Sequence, residues 1–348
     1  MKKTIGIALL LTVVMIIGLA ACAGSSTPPA SPPPSQAPAA QEAETPKALD
    51  KVTFRLNYTA QGAHAPVFYG AAKGIFEKHG IDITIGEGKG SGNTVNLIAA
   101  GNDMFGFADF GTMCTLVTQE APVKAIAPVY TKFSSGVISI AENNITKPED
   151  IIGKKIGITE GDGPHRTFPA FLSNVGITED QLELIAMDTS AKVPGLLAGQ
   201  VDAILGGIDD QPFMIASQGK TATTINYADH GVNAIGLSLI AHNDTIAQNP
   251  ELCKRFVLAY AECWEQTRND TEGALEALLA QFPDLARDTA KAQLDSGLGL
   301  LESERSLGIC IADDTFFDDS INLFKTYTGL EAGDDYSLFY TPDFMPAK

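Results

Sequence analysis

Most of the side chains able to do chemistry in this chain stand in turns that follow an apolar, strand-like run. Tyr58 and His64 lie in the turn 57–64, and Ser91 and Asn93 at the end of the Gly-rich stretch 87–93. Asp109 directly follows the run 104–108, and Ser134 and Ser135 fall in 131–136. Arg166 closes the turn 160–166, Asp188 opens 188–191, and Asp209 sits beside Asp210 in 206–211. Hydroxyls, amides and carboxylates of this kind bind a solute; to attack one they need an activating base. No G-x-S-x-G elbow, Walker A loop or G-x-G-x-x-G turn supplies such chemistry, and Gly86–Gly90 lacks the Gly-Lys-Ser/Thr ending of a phosphate loop. His64, His79, His165, His230 and His242 show neither HxxxH nor HxH spacing, so no metal, no cofactor and no catalytic residue is expected.

The elements that would position these turns alternate. Residues 51–56 and 81–85 alternate apolar and polar, as half-buried strands do, and 104–108, 124–130, 137–141, 155–158, 182–185 and 201–205 read as further strands. Between them run helical stretches: 66–76 after Pro66, 93–100, 112–119, 164–175 and 192–198. From Asn249 onward the chain reads as mainly helical: 250–269, 271–281, 288–294 and 314–328. Strand, turn and helix thus recur in two blocks, which calls for α/β layers with mostly parallel sheets and a cleft between two lobes. Ligands of such sheets bind outside the carboxyl ends of the strands, where these turns lie.

Each candidate has two readings at this level. Tyr58 stacks on a planar ligand or packs in the core. Asp109 faces the cleft or caps Thr112. Ser134 and Ser135 donate or accept on the hinge side. Arg166 clamps a carboxylate or sulfonate, or pairs with Glu160 or Asp162. Asp188, Asp209 and Asp210 accept paired N–H groups of an amino-heterocycle, or are helix caps and solvated charges. The N–H groups of 90–94 and 163–167 favour an anion or polar atom at two helix starts, or are ordinary caps.

Composition narrows the classes. The chain has 348 residues, room for two domains, with 24 basic against 42 acidic residues and a formal charge of −18. That balance argues against nucleic-acid binding, which needs clustered cations. The five cysteines are too few and scattered for a disulfide framework. Cys114, Cys253, Cys263 and Cys310 are read as small buried apolar residues.

The N-terminus reads as an address. Lys2 and Lys3 precede an uncharged apolar run that ends Leu19-Ala20-Ala21-Cys22. This resembles the lipobox of a bacterial lipoprotein: residues 1–21 are expected to be a signal peptide, and Cys22 the acylated, palmitate-bearing first residue. Residues 22–50, rich in Pro, Ala and Ser, cannot bury a core and are expected to be a disordered tether. The body is then expected on the extracytoplasmic face of the cell membrane, periplasmic in a Gram-negative host. Lobe 1 is expected to comprise 51–135 plus 241–348, and lobe 2 136–240.

The segment LNYTAQGAHAPVFYGAAKGIFEKHGIDITI is similar to the start of the thiamine-pyrimidine, sulfonate and nitrate type of substrate-binding proteins of ABC importers. GSGNTVNLIAAGNDMFGFADFGT, ITKPEDIIGKKIGI and LLAGQVDAI follow in that family's order. The resemblance runs from about Val52 to Asp210. It implies a type II periplasmic-binding-protein-like fold, a monomer, no enzyme activity, and delivery of a small molecule to an ABC permease and its ATPase. It also implies that His64 stands near the cleft. Excess Asp near the cleft favours a pyrimidine-like heterocycle; Arg166 and the two helix starts favour a sulfonate, nitrate or aromatic acid. Eukaryotic relatives resemble pyrimidine synthases that use their own His with pyridoxal phosphate. Their Cys-rich motif is missing from this sequence, which disfavours the enzyme reading.

Overall fold

The computed structural model describes residues 48–347 apart from residue 314. The signal segment, Cys22 and most of the tether therefore fall outside the described residues.

The alternating runs form the strands their spacing suggests. The first sheet contains β1 (Asp50–Arg55), β2 (Ile81–Gly86), β3 (Phe105–Asp109) and β4 (Val123–Pro128). Among these run helices α1 (Ala65–Ala72), α2 (Ile75–Lys78), α3 (Ser91–Ala99) and α4 (Phe110–Thr118). The second sheet contains β5 (Ser135–Ile140), β6 (Lys155–Ile158), β7 (Glu183–Ala186), β8 (Ala203–Gly207) and β9 (Ala222–Asn226). Its helices are α5 (Gly163–Val175), α6 (Lys192–Leu197) and α7 (Gln211–Ser217). The chain then returns to the first sheet through β10 (Leu237–His242). After it come α8 (Asn243–Gln248), α9 (Pro250–Asn269), α10 (Thr271–Gln281) and α11 (Arg287–Leu300). A small hairpin, β11 (Ser306–Gly308) with β12 (Ile311–Ala312), precedes α12 (Phe316–Tyr327).

The two sheets share one plan. The first has the order β2-β1-β3-β10-β4 and the second β7-β6-β8-β5-β9. Pairs β1–β2, β1–β3, β6–β7 and β6–β8 are parallel. The fourth strand of each, β10 or β5, runs antiparallel to both neighbours. Those two strands adjoin the two passages between sheets, 129–134 and 227–236. The boundary expected at 240/241 falls inside β10, which belongs to the first sheet. Every residue of β5 is buried, and β4 has one partly exposed residue, which is why their sequences read as near-continuous apolar runs.

Residues 66–76 do not form one helix. Gly74 takes a left-handed φ of 70°, so the chain turns between α1 and α2 before Ile75 and Phe76 enter the core. The strands β9 and β10 and helix α7 were not legible. Ala222–Asn226 exposes or half-exposes three of its five residues, so it lacks an apolar run.

The first core centres on Phe256 of α9. Its ring stacks on Phe105 at 4.1 Å between centroids and packs against Phe54 at 5.4 Å and Phe76 at 6.2 Å. A second core joins the two halves: Phe110 and Met113 of α4, Phe168 and Phe171 of α5, and Phe316, Phe317 and Phe324 of α12. The four cysteines Cys114, Cys253, Cys263 and Cys310 are free and buried. No helix among the described residues is long and apolar enough to cross a membrane. Truncating Phe256 to Ala removes the ring that three others lean on; we expect a loss of about 3–5 kcal/mol, read as a lower urea midpoint.

Candidate functional site

The carboxyl ends of the strands in both sheets face a shared cleft of about 330 Å³, within the range of about 300–1,000 Å³ usual for small-molecule sites. The first half contributes Asn57, Tyr58 and Gln61 after β1, residues 89–93 at the start of α3, and Asp109 and Thr112 at the start of α4. Ser134, Ser135 and Leu237 line it where the chain passes between the sheets. The second half contributes residues 159–164 after β6, Thr189 and Ser190 after β7, and Lys192 and Val193 of α6. Gly206, Gly207, Asp209, Asp210, Gln211 and Met214 complete the wall beyond β8.

Tyr58, Ser91, Asn93, Asp109, Ser134, Ser135 and Asp209 are thereby brought to one place. His64, Arg166 and Asp188 are not part of the lining. His64 is 3% exposed beneath the turn. Its Nδ1 accepts the Gln61 N–H at 3.2 Å, so Nε2 carries the proton and donates to Asn57 Oδ1 at 2.8 Å. Burial holds the ring neutral, its pKa down at about 3. The histidine thus orients Asn57, which does reach the cleft. Arg166 pairs with neither Glu160 nor Asp162. Its Nε donates to Gly161 O at 2.7 Å and its Nη1 to Thr115 Oγ1 at 3.0 Å, tying α5 of one half to α4 of the other. Asp188 begins the short turn Thr189–Ala191, and the two residues after it form the wall.

Asp109 fulfils both of its readings. It lines the cleft, and its Oδ1 caps α4, accepting from Thr112 N at 2.7 Å and Thr112 Oγ1 at 2.8 Å. The same carboxylate lies across the gap against α5, so close that a Cβ on Gly163 would sit 2.9 Å from Asp109 Cγ. Asp162 caps α5 from the other side, its Oδ1 accepting from His165 N at 2.9 Å. Asp162 Oδ2 accepts from Lys192 Nζ at 2.9 Å, and Lys192, 1% exposed, also donates to Leu205 O at 2.7 Å. The positive end of α5 therefore already faces two carboxylates of the protein.

Deeper in the cleft stand Asp209 and Asp210. Burial raises Asp209 to about 6, against the hydrogen bond it accepts from Ser134. Burial, then the neighbouring Asp209, raises Asp210 to about 8, opposed in part by Lys192. Two adjacent buried carboxyls resist ionising together, so the pair retains a proton near neutrality. Asp210 Oδ1 and Gln211 Oε1 are buried without a hydrogen-bond partner among the described residues. Tyr58, facing them from the first half, has its hydroxyl pKa raised by burial and by Asp210. Acidic side chains in the lining (Asp109, Glu160, Asp162, Asp209, Asp210) outnumber the cations Lys89 and Lys192. Such a wall suits a neutral or cationic polar solute. Lys192 and Gln211 were not singled out from the sequence; each is the first residue of a helix, α6 and α7, where a long polar side chain is ordinarily solvated. The one signal was their place directly after a strand-end turn.

Residues 61–274 match the family profile described as NMT1/THI5 like. The chain is 24% identical over 352 residues to the riboflavin-binding protein RibY of Chloroflexus aurantiacus, covering 97% of each. It is 25% identical over 226 residues to the 4-amino-5-hydroxymethyl-2-methylpyrimidine phosphate synthase of Schizosaccharomyces pombe, covering 60% of this chain and 63% of that one. Among solved structures, the alkanesulfonate-binding protein SsuA of Xanthomonas axonopodis bound to MOPS superposes with a TM-score of 0.60 at 14% identity, over 72% of this chain and 85% of that one. The fold is thus the two-lobed periplasmic-binding-protein fold.

A carboxyl whose pKa is raised by folding stabilises the protein below its unfolded value and loses that contribution as pH rises through the folded one. An unfolded histidine is half charged at pH of about 6.5 and nearly all neutral by 8, so His64 opposes this trend less and less across that window. We expect the melting temperature to fall across that window, and Asp210→Asn to flatten the decline. Gly163→Ala should push Asp109 and α5 apart; small-angle scattering of the variant should show a larger radius of gyration than the parent.

Proposed function

Because the chain belongs to the NMT1/THI5-like family, we propose that it is an extracytoplasmic solute-binding receptor. It captures a small nitrogen heterocycle of the thiamine-pyrimidine kind and hands it to an ABC permease and its ATPase. The observation that carries this reading is the buried Asp209–Asp210 pair in a cleft walled by both sheets. A carboxyl pair that keeps one proton offers a donor to a ring nitrogen and acceptors to N–H groups, and its one remaining negative charge disfavours a sulfonate. The start of α5, which would otherwise attract an anion, already faces Asp109 and Asp162. The names of RibY and the pyrimidine phosphate synthase, both concerned with nitrogen heterocycles, support the same class. An anionic ligand is the second reading, favoured by Lys89 and the open start of α3 at Gly90–Asn93.

Binding works by closure. Contacts from Tyr58, Asn93 and Asp109 on one side and from Asp209, Asp210 and Met214 on the other give a ligand more to hold in the closed arrangement than in an open one. That differential affinity shifts the equilibrium toward closure. The bond from Arg166 to Thr115 adds to the closed side. The site performs no chemistry on its solute: His64 is buried and committed to Asn57 and Gln61, and Lys192 is held by Asp162 and Leu205. A lipid on Cys22 and the tether behind it would keep the receptor, as a monomer, beside its permease.

A thermal-shift screen over aminopyrimidines, alkanesulfonates and aromatic acids tests the assignment. A ligand at one hundred times its Kd stabilises by about 2.7 kcal/mol. An upward shift with aminopyrimidines is expected; a shift with the anions alone would overturn the heterocycle assignment.

A further inference from the structure

We propose that Gln293 is a positioning residue of the cleft: it holds the ligand-facing turn 57–61 in place without touching the solute. This rests on the receptor reading above and adds to it how the site is kept in shape. The buried face of α11 runs Ala290, Gln293, Leu294, Gly297 and Leu300, the spacing of a core-facing stripe. Gln293 takes an apolar position in that stripe and is only 5% exposed. A long amide buried there is costly unless both its ends are bonded. Its Oε1 accepts from Gly62 N at 3.0 Å, and its Nε2 donates to Gln61 Oε1 at 3.4 Å. Gln61 lines the cleft, and Gln293 does not.

The bonds continue from there to other lining residues. Gln61 N donates to His64 Nδ1, His64 Nε2 donates to Asn57 Oδ1, and Asn57 O accepts from Gly90 N at 2.9 Å. Asn57, Gln61 and Gly90 all face the cleft. The contact with α11 is close: a Cβ on Gly62 would collide with Ala290 O and stand 2.8 Å from Gln293 Cβ. The far end of the same helix holds the passage between the halves. Leu300 O accepts from Thr131 N at 3.1 Å and from Lys132 N at 3.2 Å, and Leu301 O accepts from Thr131 Oγ1 at 3.0 Å. Helix α11 also packs against α7, whose Gln211 and Met214 line the opposite wall. One helix thus sets the first wall relative to the passage and the second wall, and Gln293 supplies its side-chain hydrogen bonds to the first. Without that acceptor the buried Gly62 N–H loses its partner, and the turn must leave α11 to find another. A turn that is binding-competent about one-tenth of the time raises Kd about tenfold.

Isothermal titration of the folded chain with 4-amino-5-hydroxymethyl-2-methylpyrimidine, riboflavin and MOPS, together with 15N NMR of the His64 ring, tests the proposal. Whichever probe binds the parent should bind Gln293→Leu about tenfold more weakly. Gln293→Glu, which keeps an acceptor for the Gly62 N–H, should recover most of that loss. Gly62→Ala, which pushes the turn off α11 while Gln293 remains, should weaken binding at least as much and serves if the Leu variant does not fold. His64 should show the Nε2–H tautomer in the parent and a mixture of tautomers in Gln293→Leu. Val257→Ala, in a core residue of α9 that does not line the cleft, should lower the melting temperature and leave affinity and tautomer as in the parent. Parental affinity and tautomer in folded Gln293→Leu or in Gly62→Ala, or an equal loss of affinity in Val257→Ala, would overturn the positioning role while leaving a solute receptor. Failure of these probes and of every compound in the wider screen to bind the parent would overturn the receptor reading and this inference with it.

Discussion

Placing charge at the dry strand ends of two mixed sheets is the constraint on which the rest of this structure turns. The strands end where helix starts and loop backbones converge, and the chain puts five acidic side chains there. Glu160 stays exposed, and the other four are handled within the fold. Asp109 and Asp162 cap α4 and α5, Asp162 is neutralised by the buried Lys192, and Asp209 leans on Ser134. Asp210 Oδ1 is buried without a donor among the described residues.

Much of the fold was legible because its strands are short, apolar and separated by Gly- and Asp-rich turns. The alternation in Asp50–Arg55 and Ile81–Gly86 and the long amphipathic run of Pro250–Asn269 left little room for another reading. Strand β9 was hidden because a polar edge lacks the apolar signature, and β10 because its partners lie more than one hundred residues earlier. The candidate site was legible as a set of turns but not as a set of atoms. Asp109 could be read from its position after a strand. His64 could not, since only the folded turn shows that Gln61 and Asn57 claim both ring nitrogens. Arg166 looked like a clamp for a ligand because a guanidinium in a helix-opening turn usually has no nearer oxygen; here Gly161 and Thr115 supply them. Lys192 became a cleft residue only through tertiary packing that buried it beside Asp162.

The helix at the end of the chain ties these parts together. Phe317 of α12 meets Phe110 of α4 edge-on at 5.2 Å, and the same aromatic cluster takes in Phe168 and Phe171 of α5. Ser320 of α12 also accepts the Ile235 N–H beside the return passage. Any motion of one half against the other has to keep or repack this cluster.

The reversed strands carry a consequence for how the chain is assembled. The second sheet is drawn from one uninterrupted stretch, Ser135 to Asn226, and holds everything it needs for its own ladder. The first cannot seat β4 beside β3 until Leu237–His242 has arrived to lie between them. During synthesis or emergence from a membrane pore, the later-made half is the earlier one able to finish. The amino-terminal half waits with an unfilled slot in its sheet, and that open edge is the part of the molecule most exposed to mispairing with other chains.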